Sequence, residues 1–340
     1  MKKSLLILLF TCWALFFAAF RPVMPFAAET AAFPDGTPVT GGRILMGTIG
    51  EPSNLIPYMA SDSASGEITG LLYVAPLKYD KDLNVVPWAA ASYEVLEGGR
   101  LLRFVLRDDI RWEDGVPLTA DDVEFTYKLM IDPKTPTAYS GDFLAIESFK
   151  KTGRLSFEVR YAKPFARSLM TWMGAILPKH VLEGQDIMTT PVARKPIGAG
   201  PYRLAKWDAG SMLTLTASDT YFEGRPNLDE VVYRIIPDPS TMFLELKAGK
   251  LDMMSLSPQQ YLRQTQGPQW ERDWRKYRYL SFSYTFLGFN LEHPFFQDVR
   301  VRRAISMAID RQSLIDGVLL GQGVPTVGPY KPGTWAYNDK

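Results

Sequence analysis

Residues 101–130 constrain the fold of this chain most strongly, because they predict a strand, a turn and a helix in close succession. Apolar and polar side chains alternate through LLRFVLR, which is the period of a half-buried strand. The Asp-Gly pair at 114–115 then predicts a turn. Thr119 precedes two carboxylates, so its hydroxyl is expected to cap a helix with an acidic first turn. Asp132-Pro133 is expected to end that helix.

Similar patterns predict strands and helices along the rest of the chain. They mix without regular βαβ alternation, which favours an α/β architecture with α+β elements. The predicted strands are 43–47, 155–160, 212–217, 231–236 and 279–290. The predicted helices are 120–130, 240–248, 299–309 and 312–320. Asp298 and Asp310 each precede one of these helices, so both are expected to be helix caps.

The first 28 residues predict a secretory signal peptide. Lys2 and Lys3 precede an apolar run of 16 residues, 5–20, which is shorter than the roughly 20 residues that a transmembrane helix needs. The alternative is an uncleaved leader that anchors the protein in the membrane. Cys12, the only cysteine, is interpreted as part of the apolar run rather than as a lipid-attachment site. The mature chain is therefore expected to contain no disulfide.

Composition and motifs argue against nucleic-acid binding and against most enzyme classes. The formal net charge is +1, which does not favour a nucleic-acid partner. His180 and His293 are the only histidines, and the common metalloprotease and serine-hydrolase motifs do not occur. Pro201 follows the glycines at 198 and 200, which excludes a dinucleotide-binding loop. We therefore predict a non-enzyme without metal or cofactor, although a glycosidase-type carboxylate pair remains open.

Six sequence blocks together carry a family resemblance. In chain order they are EPSNLIP at 51–57, LKYD at 77–80 with VP at 86–87, LRDDIRWEDGVPLTADDV at 106–123, PIGAGPY at 196–202, GKLD at 249–252, and GFN at 288–290 with FQDVRVRRAI at 296–305 and AIDR at 308–311. Taken together and in this order, the blocks resemble the extracellular solute-binding proteins, family 5, which serve peptide importers of the ABC type.

The resemblance implies a periplasmic-binding-protein-like fold, a bilobal clamshell with a small inserted domain. By position, the first lobe would be discontinuous and comprise 42–63 and 190–284. The inserted domain would be 64–189, and 285–340 would begin the second lobe. Members of the family continue well past Lys340, so the resemblance also implies a C-terminally truncated chain with an incomplete second lobe.

The resemblance further implies the substrate-binding component of an ABC importer. Such a protein would act in the periplasm as a monomer, capture oligopeptides or related small solutes, and deliver them to permease subunits in the inner membrane. Hinge closure about 284–290 would trap the ligand. Other cargo stays open, namely a nickel chelate, haem, murein peptides or an oligosaccharide. A ligand-sensing subunit and a hydrolase are the alternatives from other functional classes.

Candidate ligand contacts follow from the resemblance position by position. They lie after the opening block, after the turn that follows the predicted helix 120–130, after GKLD, and before GFN. These candidates are Asp62, Ser63, Ser65, Tyr139, Ser255, Leu256, Tyr284 and Phe286. Packing alone is the alternative explanation for each of them. No residue of this sequence is assigned to the ligand's α-amino group.

Overall fold

The computed structural model describes residues 38–334 and 336–338. The predicted signal peptide, residues 1–28, therefore lies outside the described residues. Within the described part of the chain, no helix is long and apolar enough to cross a membrane. The described residues form two compact units, one that ends at Ser255 and one that begins at Leu256.

Strands occur only in the unit that ends at Ser255, as far as the structure describes the chain. They are β1 (Arg43–Thr48), β2 (Leu77–Tyr79), β3 (Val85–Pro87), β4 (Ala90–Leu96), β5 (Leu101–Leu106), β6 (Ile146–Lys151), β7 (Ser156–Tyr161), β8 (Tyr202–Asp208), β9 (Met212–Ala217) and β10 (Glu230–Ile235).

Helices occur in both units. Those of the first unit are α1 (Ser63–Leu72), α2 (Ala120–Ile131), α3 (Ser140–Leu144), α4 (Ser168–Thr171), α5 (Lys179–Leu182) and α6 (Pro239–Lys247). Those of the second unit are α7 (Pro268–Asp273), α8 (Pro294–Gln297), α9 (Val299–Ala308) and α10 (Arg311–Gly317), which follow a π-helical segment at Gln260–Gln264.

One four-stranded sheet has the order β1-β10-β9-β8. β1 pairs with β10 in parallel, whereas β10 with β9 and β9 with β8 pair antiparallel. β8 therefore runs in the same direction as β1, and the two strands, which lie at opposite edges, finish at the same end of the sheet. Leu213 and Leu215 on β9 are completely buried, as expected for a strand with one face on the core.

The second four-stranded sheet is antiparallel and has the order β4-β5-β7-β6. Its buried face contributes Phe104 and Phe157, whose rings stack with centroids 4.8 Å apart. On the other face, Arg103 forms ion pairs with Glu94 at 2.8 Å and with Glu158 at 2.9 Å. The alternation that predicted the strand within 101–130 is therefore the alternation between core and solvent.

The predicted helix starts are confirmed at three positions. Thr119 caps α2, and its backbone N–H donates to Asp122 Oδ2 at 2.8 Å, which completes a capping box. Asp298 caps α9 by accepting from the backbone N–H of Arg300. Asp310 caps α10 by accepting from that of Ser313. These contacts are local in sequence, and for that reason the sequence predicts them well.

The strand predicted at 279–290 is wrong. The structure describes this segment without a strand, and the large side chains of Tyr279, Phe282 and Phe286 are exposed. Alternating apolar residues indicate which face a strand would bury, but a strand also needs a neighbour to bond with. Among the described residues, no strand pairs with 279–290. The predicted helix at 312–320 is also shorter than expected, since α10 ends at Gly317.

Candidate functional site

The loop after β1 places three of the predicted ligand-binding residues together. Asp62 is the N-cap of α1, and its carboxylate accepts from the Ser65 backbone N–H at 2.8 Å and from the Ser65 hydroxyl at 2.8 Å. The Ser53 hydroxyl donates to the same carboxylate at 2.5 Å. The Ser65 hydroxyl in turn accepts from the Ser53 backbone N–H at 3.0 Å. Asp62 and Ser65 therefore set the shape of this loop, while the Ser63 side chain stays exposed.

These hydrogen bonds change the ionisation of Asp62. Burial by itself would raise the pKa of Asp62, but the hydrogen bonds from Ser53 and Ser65 outweigh it and hold the pKa below its ordinary value. A carboxyl group with a lowered folded-state pKa contributes stability above its unfolded pKa, and that contribution is lost as the pH falls through the folded pKa.

We expect Asp62→Asn to flatten the acid limb of the stability curve. Asn is also a good N-cap, so the variant keeps the helix start but has no proton to bind. An Asp in an unfolded chain has a pKa of about 4. As the pH falls below this value, the unfolding free energy of the wild type should decrease more steeply than that of the variant. Urea unfolding across this pH range measures the difference, and Ser65→Ala should give an intermediate slope. Parallel curves for the wild type and Asp62→Asn would contradict the role of this carboxylate.

Tyr139 approaches the same loop from the turn after α2. Its hydroxyl donates to the Ala60 carbonyl at 3.2 Å, and its ring makes an edge contact with Tyr58 at a centroid distance of 6.2 Å. The Thr137 hydroxyl donates to the Tyr58 carbonyl at 2.8 Å. Tyr139 remains 44% exposed. The structure therefore brings Tyr139 to the loop that ends at Asp62, beside the first turn of α1 with Ser63 and Ser65.

Ser255 lies near the end of β1. Met253 forms a parallel bridge with Met46 of β1, so the chain that leads to Ser255 runs alongside that strand in the same direction. Ser255 therefore follows at the sheet edge where β1 ends, and its side chain is exposed. Leu256 is half-buried and begins the second unit.

Tyr284 and Phe286 belong to the unit that begins at Leu256. Their ring centroids are 5.5 Å apart, and the two side chains are 47% and 73% exposed. They form a small aromatic surface in a segment without regular secondary structure. Such exposed aromatic pairs are typical of surfaces that bind another molecule.

A groove of about 800 Å³ lies at the edge of the first sheet, beside the end of β8. This volume falls within the range of small-molecule sites. Its lining combines apolar and charged side chains. They are Glu51, Glu113, Arg194, Lys195, Pro196, Ile197, Leu204, Ala205, Lys206, Trp207 and Ala209.

Glu51 ties this groove to the loop after β1. Its carboxylate accepts from Trp207 Nε1 at 2.7 Å and from the Gly210 backbone N–H at 3.1 Å. The Arg194 guanidinium lies 3.9 Å from the centroid of the Trp207 ring and 3.7 Å from Glu51. Sequence reasoning missed this cluster. Glu51 belongs to the opening block, but no local pattern indicates that its partner stands 156 residues away.

Glu113 is the second carboxylate of the groove. Its Oε1 accepts from the Gly198 backbone N–H at 3.3 Å, and its own backbone N–H donates to the Gly198 carbonyl at 2.9 Å. Burial raises the pKa of Glu113, and the bond from Gly198 together with the nearby Arg203 offsets part of that rise. The pair joins the WEDG and PIGAGPY blocks. In the described parts of the chain, no group of three or more His, Cys, Asp or Glu side chains could hold a metal ion.

The chain is similar in sequence to proteins named for peptide binding. The oligopeptide-binding protein AppA of Bacillus subtilis is 32% identical over 308 residues, which are 89% of this chain and 56% of AppA. The probable D,D-dipeptide-binding periplasmic protein DdpA of Escherichia coli is 25% identical over 94% of this chain and 63% of its own length. The chain thus spans between half and two thirds of the length of these relatives.

Solved structures agree with the sequence matches. The structure of Bacillus subtilis AppA in complex with a nonapeptide matches with a TM-score of 0.81 at 31% identity, over 89% of this chain and 61% of that one. NikZ from Campylobacter jejuni in complex with Ni(L-His) matches with a TM-score of 0.74 at 26% identity, over 82% and 55%. The predicted α/β fold of the periplasmic-binding-protein type is therefore confirmed.

The family model of bacterial extracellular solute-binding proteins, family 5, matches residues 84–340. The match includes most of the blocks that carry the resemblance. This chain belongs to the family 5 bacterial extracellular solute-binding proteins.

Proposed function

We propose that this protein is the substrate-binding component of an ABC importer and that its cargo is an oligopeptide. The observation that carries the proposal is the match to AppA, whose structure holds a nonapeptide, at 31% identity and a TM-score of 0.81. A peptide presents backbone N–H and C=O groups together with varied side chains, so its binding site needs hydroxyl groups beside apolar and aromatic surface. The loop after β1 and Tyr139 offer that combination.

The ligand contacts divide between side chains that touch the ligand and side chains that shape the site. Ser63 exposes a hydroxyl group for the peptide backbone and Tyr139 exposes an aromatic surface, whereas Asp62 and Ser65 hold the loop in place. Ser255, Leu256, Tyr284 and Phe286 add further contacts. A ligand that touches both lobes binds the closed state more tightly than the open state. The difference between the two binding free energies shifts the equilibrium towards the closed state. That difference would drive closure about 284–290.

The lobe boundaries, the location and the partners belong to the same proposal. The first lobe comprises 42–63 and 190–284, the inserted domain 64–189, and the second lobe begins at 285. The protein is exported by its leader to the periplasm and works there as a monomer. It passes its cargo to permease subunits in the inner membrane.

A nickel chelate is the second candidate cargo. The observation that favours it is the match to NikZ, whose structure contains Ni(L-His), at 26% identity. A chelate brings nitrogen and oxygen ligands of its own to the metal, so the protein need not supply a full set. The same exposed hydroxyl and aromatic groups could then contact the organic part of the chelate.

Native mass spectrometry of the protein purified from its source cells would distinguish the two cargoes. We expect a complex that releases peptides of several residues on activation. Release of nickel with histidine would instead support the second candidate. Absence of any small ligand, together with no binding of a random-sequence nonapeptide pool or of Ni(L-His), would contradict both.

We expect Tyr139→Ala to weaken binding of the nonapeptide pool by about tenfold, the effect of roughly 1.4 kcal/mol. The change removes an exposed aromatic surface and the hydroxyl that holds Ala60. Tyr79→Ala is the matched control, because Tyr79 is 41% exposed but lies in β2. The half-saturating pool concentration measures both variants. Equal losses in the two would show that Tyr139 has no particular role.

A further inference from the structure

We infer that Glu51 is a positioning residue for ligand capture. It fixes the loop that leads to Ser63 to the end of the first sheet. The inference rests on the proposed function. Glu51 does not itself have to touch the ligand. It acts through the loop 51–62, whose far end is the N-cap of α1.

Both oxygens of the Glu51 carboxylate accept hydrogen bonds from the end of β8 and the turn after it. Oε1 accepts from Trp207 Nε1 at 2.7 Å, and Oε2 accepts from the Gly210 backbone N–H at 3.1 Å. Trp207 is near the end of β8, and Gly210 lies in the turn that follows. β1 and β8 are the two outer strands of the sheet and run in the same direction, so the chain leaves both strands at the same end of the sheet, and the Glu51 carboxylate joins the segment after β1 to the end of β8. Hydrogen bonds to a charged group are stronger than neutral ones.

Arg194 contacts both Glu51 and Trp207. Its guanidinium stacks on the Trp207 ring at 3.9 Å and lies 3.7 Å from Glu51 Oε1. The carbonyl of the preceding residue, Ala193, accepts from the Leu55 backbone N–H at 3.0 Å. The segment 193–194 therefore contacts the loop at two points, and Glu51 is one of them.

Hydrogen bonds from the start of the loop reach the candidate ligand contacts. Ser53, two residues after Glu51, donates its hydroxyl to Asp62 and its backbone N–H to the Ser65 hydroxyl. Asp62 and Ser65 flank Ser63 and fix the first turn of α1. If the start of the loop shifts, Ser53 moves, and the position of Ser63 moves with it. Small errors in the position of a binding group cost affinity without unfolding the protein.

The test is a double-mutant cycle on ligand affinity in the full protein, with the random-sequence nonapeptide pool as the probe. Glu51→Gln keeps the size of the side chain but loses the charge and one acceptor oxygen. Trp207→Phe keeps a ring beneath Arg194 but removes the N–H donor. Each variant should raise the half-saturating concentration about tenfold, and the double variant should be little worse than either one, because both break the same contact.

A control separates positioning from general stability. Glu94→Gln removes an exposed carboxylate that pairs with Arg103 in the other sheet, and it should leave the half-saturating concentration unchanged. Wild-type affinity in Glu51→Gln, even with a lower melting temperature, would overturn the positioning role alone. Additive losses in the cycle would also overturn it. Absence of binding by the wild type to both the peptide pool and Ni(L-His) would instead overturn the proposed function, and this inference with it.

Discussion

Replacement of Phe157 by Ala is expected to lower the free energy of unfolding by about 3–5 kcal/mol, the usual cost of removing a large aromatic side chain from a core. Phe157 is completely buried on β7. Its ring stacks on Phe104 at 4.8 Å and on Phe149 at 5.2 Å, and it lies 5.3 Å from Trp172. Its removal therefore leaves three aromatic neighbours beside a cavity that rigid rings fill poorly.

Urea unfolding of the full protein, followed by tryptophan fluorescence, measures this loss. The matched control is Val105→Ala on the neighbouring strand β5, where the side chain faces away from the core and is 42% exposed. The control should cost less than about 1 kcal/mol, because a partly exposed Val buries little area. Equal losses in the two variants would contradict the assignment of Phe157 to the centre of this core.

Replacement of Gly198 by Ala should be about as severe, with a loss of about 3 kcal/mol or more, at the upper end of the cost of overpacking. A Cβ atom at this position would lie 2.0 Å from the Leu72 carbonyl oxygen. That oxygen is held in place, because it accepts from the Gly200 backbone N–H at 2.9 Å. The Cβ atom is fixed rigidly to the backbone at position 198, and the oxygen belongs to the backbone of Leu72. A change of rotamer therefore cannot relieve the clash.

A control glycine lies in the helix that ends at Leu72. Gly70 is in α1, and nothing would come within 4 Å of an added Cβ there. Gly70→Ala should stabilise the protein by about 0.5–1 kcal/mol, because Ala loses less conformational freedom in a helix than Gly. The midpoints of thermal and urea unfolding should therefore decrease for Gly198→Ala and increase for Gly70→Ala. Normal stability of Gly198→Ala would show that the PIGAGPY turn does not pack against α1 as described.

Elements whose signals are local in sequence could be predicted well. The capping box of α2 spans Thr119 to Asp122, and β9 follows the predicted 212–217 residue for residue. The segment 279–290 shows where such reasoning fails. Its apolar residues alternate as in a strand, yet no described strand pairs with it, because pairing depends on residues that are distant in sequence.

The candidate site also contains features that the sequence predicted and one that it did not. The resemblance pointed to Asp62, Ser63, Ser65 and Tyr139, and the structure places these four around one loop, with Tyr139 bonded to Ala60. The Glu51–Trp207 contact was not predicted, because each residue has an ordinary local explanation, as a loop residue and as an apolar residue at a strand end.

The sequence by itself determined the family, through the order of motifs along the chain, and the local elements, because alternation and capping residues act over a few neighbouring positions. Only the tertiary structure decided which distant segments meet. Glu51 bonds to Trp207 because β1 and β8 finish at the same end of the sheet, and Glu113 bonds to Gly198 where the turn at 112–115 meets PIGAGPY. Contacts of this kind depend on how the whole chain packs, which no short window of sequence contains.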